Sequence, residues 1–184
     1  KELHAEVQPA VAPAPGRPRL EDYEYERRGT ANLFMACCPL RGWRQVTVTE
    51  QRRYQDVAYQ WRALTDVHFP NATEIQVVLD NLNTHFRKCF DDVLGRRAAA
   101  RLLRRVQFHH TPKHASWLNM AEIEIGILSR QCLDRRIDSR QLLQREVDAW
   151  QQARNAAQQT IEWTFTRQDA DQRLGRHYVP KLAC

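Results

Sequence analysis

The chain has no long hydrophobic run. Its apolar stretches are a few residues each, whereas a helix that crosses a bilayer needs roughly 20. The opening KELHAEVQPA also lacks the apolar core of a secretory signal. These absences predict a soluble, cytoplasmic protein with no membrane partner, and they reduce Asn71-Ala72-Thr73 to a formal glycosylation triplet. Paired cysteines are missing too. Cys37, Cys38, Cys89, Cys132 and Cys184 are odd in number, include no CxxC and put two members side by side, which suits neither a disulfide frame nor a zinc knuckle. Free thiols are expected. Lysine is scarce, with 4 against 24 arginines. Guanidinium is the better fork for phosphate oxygens, although a GC-rich genome leaves the same bias. There is no internal repeat, and no Gly-x-Ser-x-Gly elbow surrounds Ser116.

What is present is enough for one globular domain with a small appendage: 184 residues, 42% hydrophobic, 27% charged, with a net charge of +6. That charge is compatible with a polyanionic partner without demanding one. Residues 8–20 hold four of the eight prolines, so they form an extended arm rather than a helix or inner strand. We divide the chain into an arm over 1–22 and a folded domain over 23–184.

Tyr23–Tyr25 and Ala31–Cys38 read as strands separated by an Arg27-Arg28-Gly29 turn, and Trp43–Thr49 alternates with period two. Val57, Trp61, Leu64 and Val67 recur every three to four residues and predict an amphipathic helix from Tyr54 to Phe69, ending before Pro70. Glu74–Leu79 is a short β-branched, largely apolar strand that suits an inner, parallel position covered on both faces. Residues 86–105 are helical with a break near Gly95. They carry a concentrated basic face that includes Arg96, Arg97, Arg101, Arg104 and Arg105. A strand at Val106–His109, a helical pattern from Trp117 to Leu133 and a helix from about Ser139 to Ala157 follow. TIEWTF is extended and a polar helix closes the chain near His177. This order predicts an α/β sheet with helices on its faces.

Asp80 stands at the carboxyl end of the Glu74–Leu79 strand, where open α/β sheets bind ligands. Asp80, Asn81 and Asn83 would equally serve as turn and cap residues for the next helix. In a helix starting near Trp117, Leu118, Ala121, Ile125, Leu128 and Cys132 form the apolar stripe. Glu122 falls on its margin beside Gly126, whose missing side chain leaves room, although a lone helical acid is most often a solvated surface residue. If Asp80 and Glu122 converged, they would suit Mg2+, which takes one or two protein carboxylates and keeps several waters. Two such ions about 4 Å apart activate the attacking oxygen and stabilise the leaving oxygen of a phosphodiester. The histidines between 85 and 114 invite a zinc reading, but Pro112 breaks the His110/His114 helical spacing and no cysteine completes a set.

VVLDNLNTH at 77–85 and FHHTPKHASWLNMAEIEI at 108–125 together closely resemble the DDE endonuclease domain of mariner-type bacterial insertion-sequence transposases. RRGTANLFMA, GWRQVTVTE and LSRQCLDRRI look like the same family, so the resemblance covers nearly the whole chain. It implies an RNase H-like mixed sheet flanked by helices, and Mg2+-dependent DNA cleavage and strand transfer in which Mn2+ substitutes. By position, Asp80 matches the second acid of the catalytic triad and Glu122 the third, both as metal ligands. Asn83, His85, Lys113, His114, Trp117 and Asn119 lie in the same signature and are expected to shape the site and contact DNA. The implied partners are DNA, as transposon ends and target, and a second copy in a homodimer. The family's first acid lies on an opening strand ahead of the segment matched by 1–7, and the helix-turn-helix region is not in this sequence. The first strand is therefore expected to be incomplete or missing. The chain as given is expected to be inactive or nearly so, as a remnant or one part of a frameshifted pair, with DNA or partner binding without cleavage as the alternative.

Overall fold

The computed structural model describes residues 1–18, 20, 22–80, 86–111 and 119–178. Among them the strands form three two-stranded sheets. β1 (Glu2–Glu6) pairs antiparallel with β2 (Tyr25–Thr30), and β3 (Asn32–Cys38) pairs antiparallel with β4 (Trp43–Thr49). β5 (Ile75–Leu79) pairs in parallel with β6 (Val106–His110). The helices are α1 (Tyr54–Ala63), α2 (Phe86–Leu94), α3 (Arg96–Arg105), α4 (Ala121–Leu128), α5 (Arg140–Ala156) and α6 (Arg167–Tyr178). The mixed α/β composition agrees with expectation. The strands are grouped in pairs rather than in one hydrogen-bonded sheet among the described residues.

Two hydrophobic cores hold these pairs. One joins Leu3, Ala31 and Val46 to Leu128, Cys132, Ile137, Leu143, Val147 and Trp150, with Leu33 and Met35 against it, so that α4 and α5 pack on β1, β3 and β4. The other joins Ala58, Phe90, Ala99, Leu102 and Val106, with Val77 and Phe108 against it, so that α1, α2 and α3 pack on the parallel pair. Trp43 of β4 meets Phe69 and His68 at centroid distances of 4.9 and 5.1 Å, linking the first group to the end of the α1 region. α5 also closes the free edge of β4. Gln151 Oε1 accepts the Val46 N–H at 2.8 Å, and the Asn155 side chain pairs with both backbone groups of Arg44 at 2.9 and 2.8 Å. An edge strand needs such cover to avoid pairing with another chain.

Local signals fixed several boundaries. Ser139 caps α5, its Oγ accepting the Leu142 N–H at 3.3 Å, and Gly95, at φ +79°, separates α2 from α3. Gly42 is required for two reasons. Its φ is +60°, and a Cβ there would lie 2.4 Å from the Gln158 carbonyl carbon.

Three expectations change. Arg27-Arg28-Gly29 is not a turn but part of β2, where the register of the β1 pairing shifts between Glu2 and His4. Gly29, at φ +96°, absorbs the extra residue as a bulge glycine does. Leu64–His68 is π-helical, which retards the helical phase; Thr65 is buried and Val67 is 69% exposed rather than packed. β5 is parallel to β6 as expected but is covered on one face only. Ile75, Val77 and Leu79 turn inward, while Gln76 and Val78 are exposed because no second layer lies over them among the described residues.

Candidate active site

β5 and β6 run in parallel with Leu79 opposite His110, so the residues that follow them, Asp80 and Thr111, leave the pair side by side. The Thr111 N–H bonds the Leu79 carbonyl at 3.0 Å, extending the ladder by one step. The Thr111 hydroxyl then donates to Asp80 Oδ1 at 3.3 Å. Thr111 is buried and Asp80 half-buried, so the hydroxyl fixes one carboxylate oxygen from behind. Sequence reasoning missed Thr111. Its signal lies in the pairing register, which only the parallel partner reveals.

Glu122 lies in the first turn of α4 and is exposed. Asn119 shapes that helix start, its Oδ1 accepting the Ala121 N–H at 3.1 Å and its carbonyl accepting the Glu122 N–H at 3.0 Å. A carboxylate in this position is favoured by the positive end of the helix dipole. The space beside Gly126 is not open. The Arg130 guanidinium lies 3.4 Å from where a Cβ would stand.

The apolar stripe expected on this helix also changes. Leu128 and Cys132 are buried, but Ile125 is 42% exposed and Glu124 is fully buried in its place. Glu124 Oε1 accepts from Arg44 Nη2 of β4 and Arg154 Nη2 of α5, each at 3.0 Å. Arg44 further donates to the carbonyls of Gly42 and Gln159 at 3.0 and 2.6 Å. Sequence reasoning missed this triad, because an acid and two arginines far apart in sequence give no local pattern. Nearby Cys37 responds to it: burial, and then the Glu124 charge, push its thiol up to about 11.

Of the basic helix, Arg96, Arg97, Arg101 and Arg104 are exposed. Arg101 makes one ion pair, to Asp66 at 3.3 Å. Arg105 departs from the expected phosphate-facing role. It donates from Nε to Ala72 O at 2.9 Å, from Nη1 to Thr65 O at 3.1 Å, and from Nη2 to Phe69 O and Pro70 O at 2.6 and 3.1 Å. A guanidinium has five N–H donors, and this one closes the carbonyl end of the π-helical segment.

Asn83, His85, Lys113, His114 and Trp117 lie outside the described residues. Asp80 and Glu122 rest on different hydrophobic cores, and the chain between β6 and α4 joins them. Among the described residues, no group of three or more His, Cys, Asp or Glu is placed to hold a metal ion. The donor chemistry of Asp80 and Glu122, two carboxylates, is nevertheless of the kind a hard divalent cation takes. No described helix is long and apolar enough to cross a membrane. Compared with known protein families, residues 1–144 match the family described as DDE superfamily endonuclease. The match spans every strand, α1 to α4 and the start of α5. No curated protein and no solved structure matches the chain.

Proposed function

The chain belongs to the DDE superfamily endonuclease family, and on that premise we propose that it is the cleavage and strand-transfer domain of a mariner-type bacterial insertion-sequence transposase. The arrangement we propose is RNase H-like, formed by residues 23–184 together with β1, whose Leu3 enters the first core, and with the proline-rich stretch between β1 and β2 as the arm. It would act on DNA, as transposon ends and target, in the cytoplasm and as a homodimer.

The observation that carries this reading is the placement of Asp80. An acid at the carboxyl ends of a parallel strand pair, held through one oxygen by Thr111, is where α/β folds present reactive groups. Asp80 and Glu122 would hold Mg2+, or Mn2+ in its place. When bound, the ion supplies Lewis-acid stabilisation of the phosphodiester oxygens and a more acidic water. The chain's own groups do the rest. Thr111 keeps Asp80 in one rotamer, and Asn119 starts α4 so that Glu122 sits in its first turn. Arg96, Arg97, Arg101 and Arg104 meet phosphates without reading sequence. Asn83, His85, Lys113, His114 and Trp117 enter the proposal through the family signature alone, as groups that shape the site or touch DNA.

A nicking assay on supercoiled DNA with Mg2+ or Mn2+ tests the reading, run beside Asp80→Ala and Glu122→Ala. Cleavage abolished by both substitutions supports it, and cleavage that survives both ends it. A second reading, DNA binding without cleavage, predicts a mobility shift in the same samples with no nicking.

A further inference from the structure

α4 has a broad apolar face. Ala121, Ile123, Ile125, Ile127 and Leu128 spread over roughly 200° of its circumference with Glu124 among them, only Glu122 and Gly126 lie on the remaining side, and Ile123 and Ile125 are 38% and 42% exposed although isoleucine normally packs. A face this wide does not by itself select one rotation of the helix about its axis, because turning it toward Ala121 and Ile125 or toward Ile123 and Ile127 would bury comparable apolar area. Something else must fix it. Glu124 is 0% exposed, and both of its arginine contacts come from other elements, Arg44 of β4 and Arg154 of α5. Positions 122 and 124 are about 200° apart around a helix, so turning Glu124 into the core turns Glu122 out of it.

We propose that the Arg44–Glu124–Arg154 triad is a positioning device that sets the rotation of α4 and so holds Glu122 on the open side. This rests on the reading of Glu122 as a metal ligand given above. The triad is poorly built as a source of stability. Both arginines converge on one oxygen of Glu124, while Glu124 Oε2, Arg44 Nε and Arg154 Nε have no hydrogen-bond partner among the described residues. Buried ion pairs of this kind often contribute nothing net over apolar replacements, and their best attested use is to choose one packing register over another. Arg44 and Arg154 are thus positioning residues that act on Glu122 through Glu124.

The test replaces all three by an unbranched apolar side chain of similar length, Arg44→Met, Glu124→Met and Arg154→Met together. Wild type should give one set of isoleucine methyl signals, with Ile123 and Ile125 relaxed by a soluble nitroxide more strongly than Ile127. The triple variant should still melt cooperatively, but with multiple or shifted Ile123 and Ile125 signals, that contrast lost and Mn2+ bound about tenfold more weakly. A folded triple variant that keeps the wild-type methyl pattern overturns the proposal. If the triple variant does not fold, Arg154→Met keeps the Arg44–Glu124 pair and carries the same test at smaller amplitude. Glu122→Gln separates the two ideas. Unchanged Mn2+ affinity in that variant removes Glu122 as a ligand, while the methyl pattern still decides whether the triad sets the helix.

Discussion

Adjacent arginines at the end of α3 should respond in opposite ways to substitution. Arg105 is 19% exposed and bonds four carbonyls, at Thr65, Phe69, Pro70 and Ala72. Hydrogen bonds from a charged donor contribute about 1.5 to 3 kcal/mol each when shielded. Water reaches part of this site and would solvate the freed carbonyls, so Arg105→Met should cost about 3 kcal/mol in all, well below the sum of isolated bonds. For a chain of this length that lowers the Tm by roughly 6 to 12 °C. Arg104 is exposed, and Arg104→Ala should change stability by less than about 0.5 kcal/mol. It should instead weaken DNA binding uniformly across sequences and reduce the slope of log affinity against log salt by about one. Paired thermal melts and fluorescence-anisotropy titrations at 50 to 200 mM salt separate the two effects. An Arg105→Met protein with an unchanged Tm, or an Arg104→Ala protein with an unchanged salt slope, would refute the assignment of one residue to the fold and the other to phosphate.

The remaining predictions follow from single contacts. Gly42→Ala must both adopt a positive φ and push the Gln158 backbone away from 2.4 Å, so denaturant titration should show a loss of at least about 2 kcal/mol. Cys37, raised to about 11 by burial and by Glu124, should react with a disulfide reagent at pH 8 far more slowly than in the unfolded chain. Its folded pKa lies above the ordinary 9.0, so the folded state holds the proton more tightly. Stability is therefore present below about pH 9 and lost towards pH 11, and the difference between wild type and Cys37→Ala in melts across that range should show the loss. If Arg96, Arg97, Arg101 and Arg104 each meet one phosphate, DNA affinity should fall on the order of a hundredfold between 50 and 200 mM salt. A flat response would mean that they form only a solvated face.

Features set by neighbouring residues were legible in the sequence. Ser139 announced α5, Gly95 announced the break between helices, and alternation announced β4. The placement of Asp80 at the end of β5 was also legible, because a short β-branched run followed by Asp-Asn is a local pattern. Features that need a distant partner were not. Gly29 looked like a turn glycine until β1 paired with β2 and made it a bulge. Val67 fell out of phase because the helix widened over Leu64–His68, which residue spacing does not encode. Glu124 lies outside the apolar stripe expected on α4, and Arg44 and Arg154 make its burial tolerable. Arg105 and Arg104 are the same residue type side by side, and their difference exists only where the carbonyls of the segment after α1 come to meet one of them.

The account depends above all on one divalent ion being shared by Asp80 and Glu122. Mn2+ titrated into isotope-labelled protein tests this most directly, since a bound paramagnetic ion broadens the amide signals around it. One shared site predicts that the signals of Leu79 and Thr111 and those of Glu122 and Ile123 broaden together at a single affinity, and that Asp80→Ala abolishes both. Broadening of one set alone, or of the two sets at unrelated Mn2+ concentrations, would contradict it.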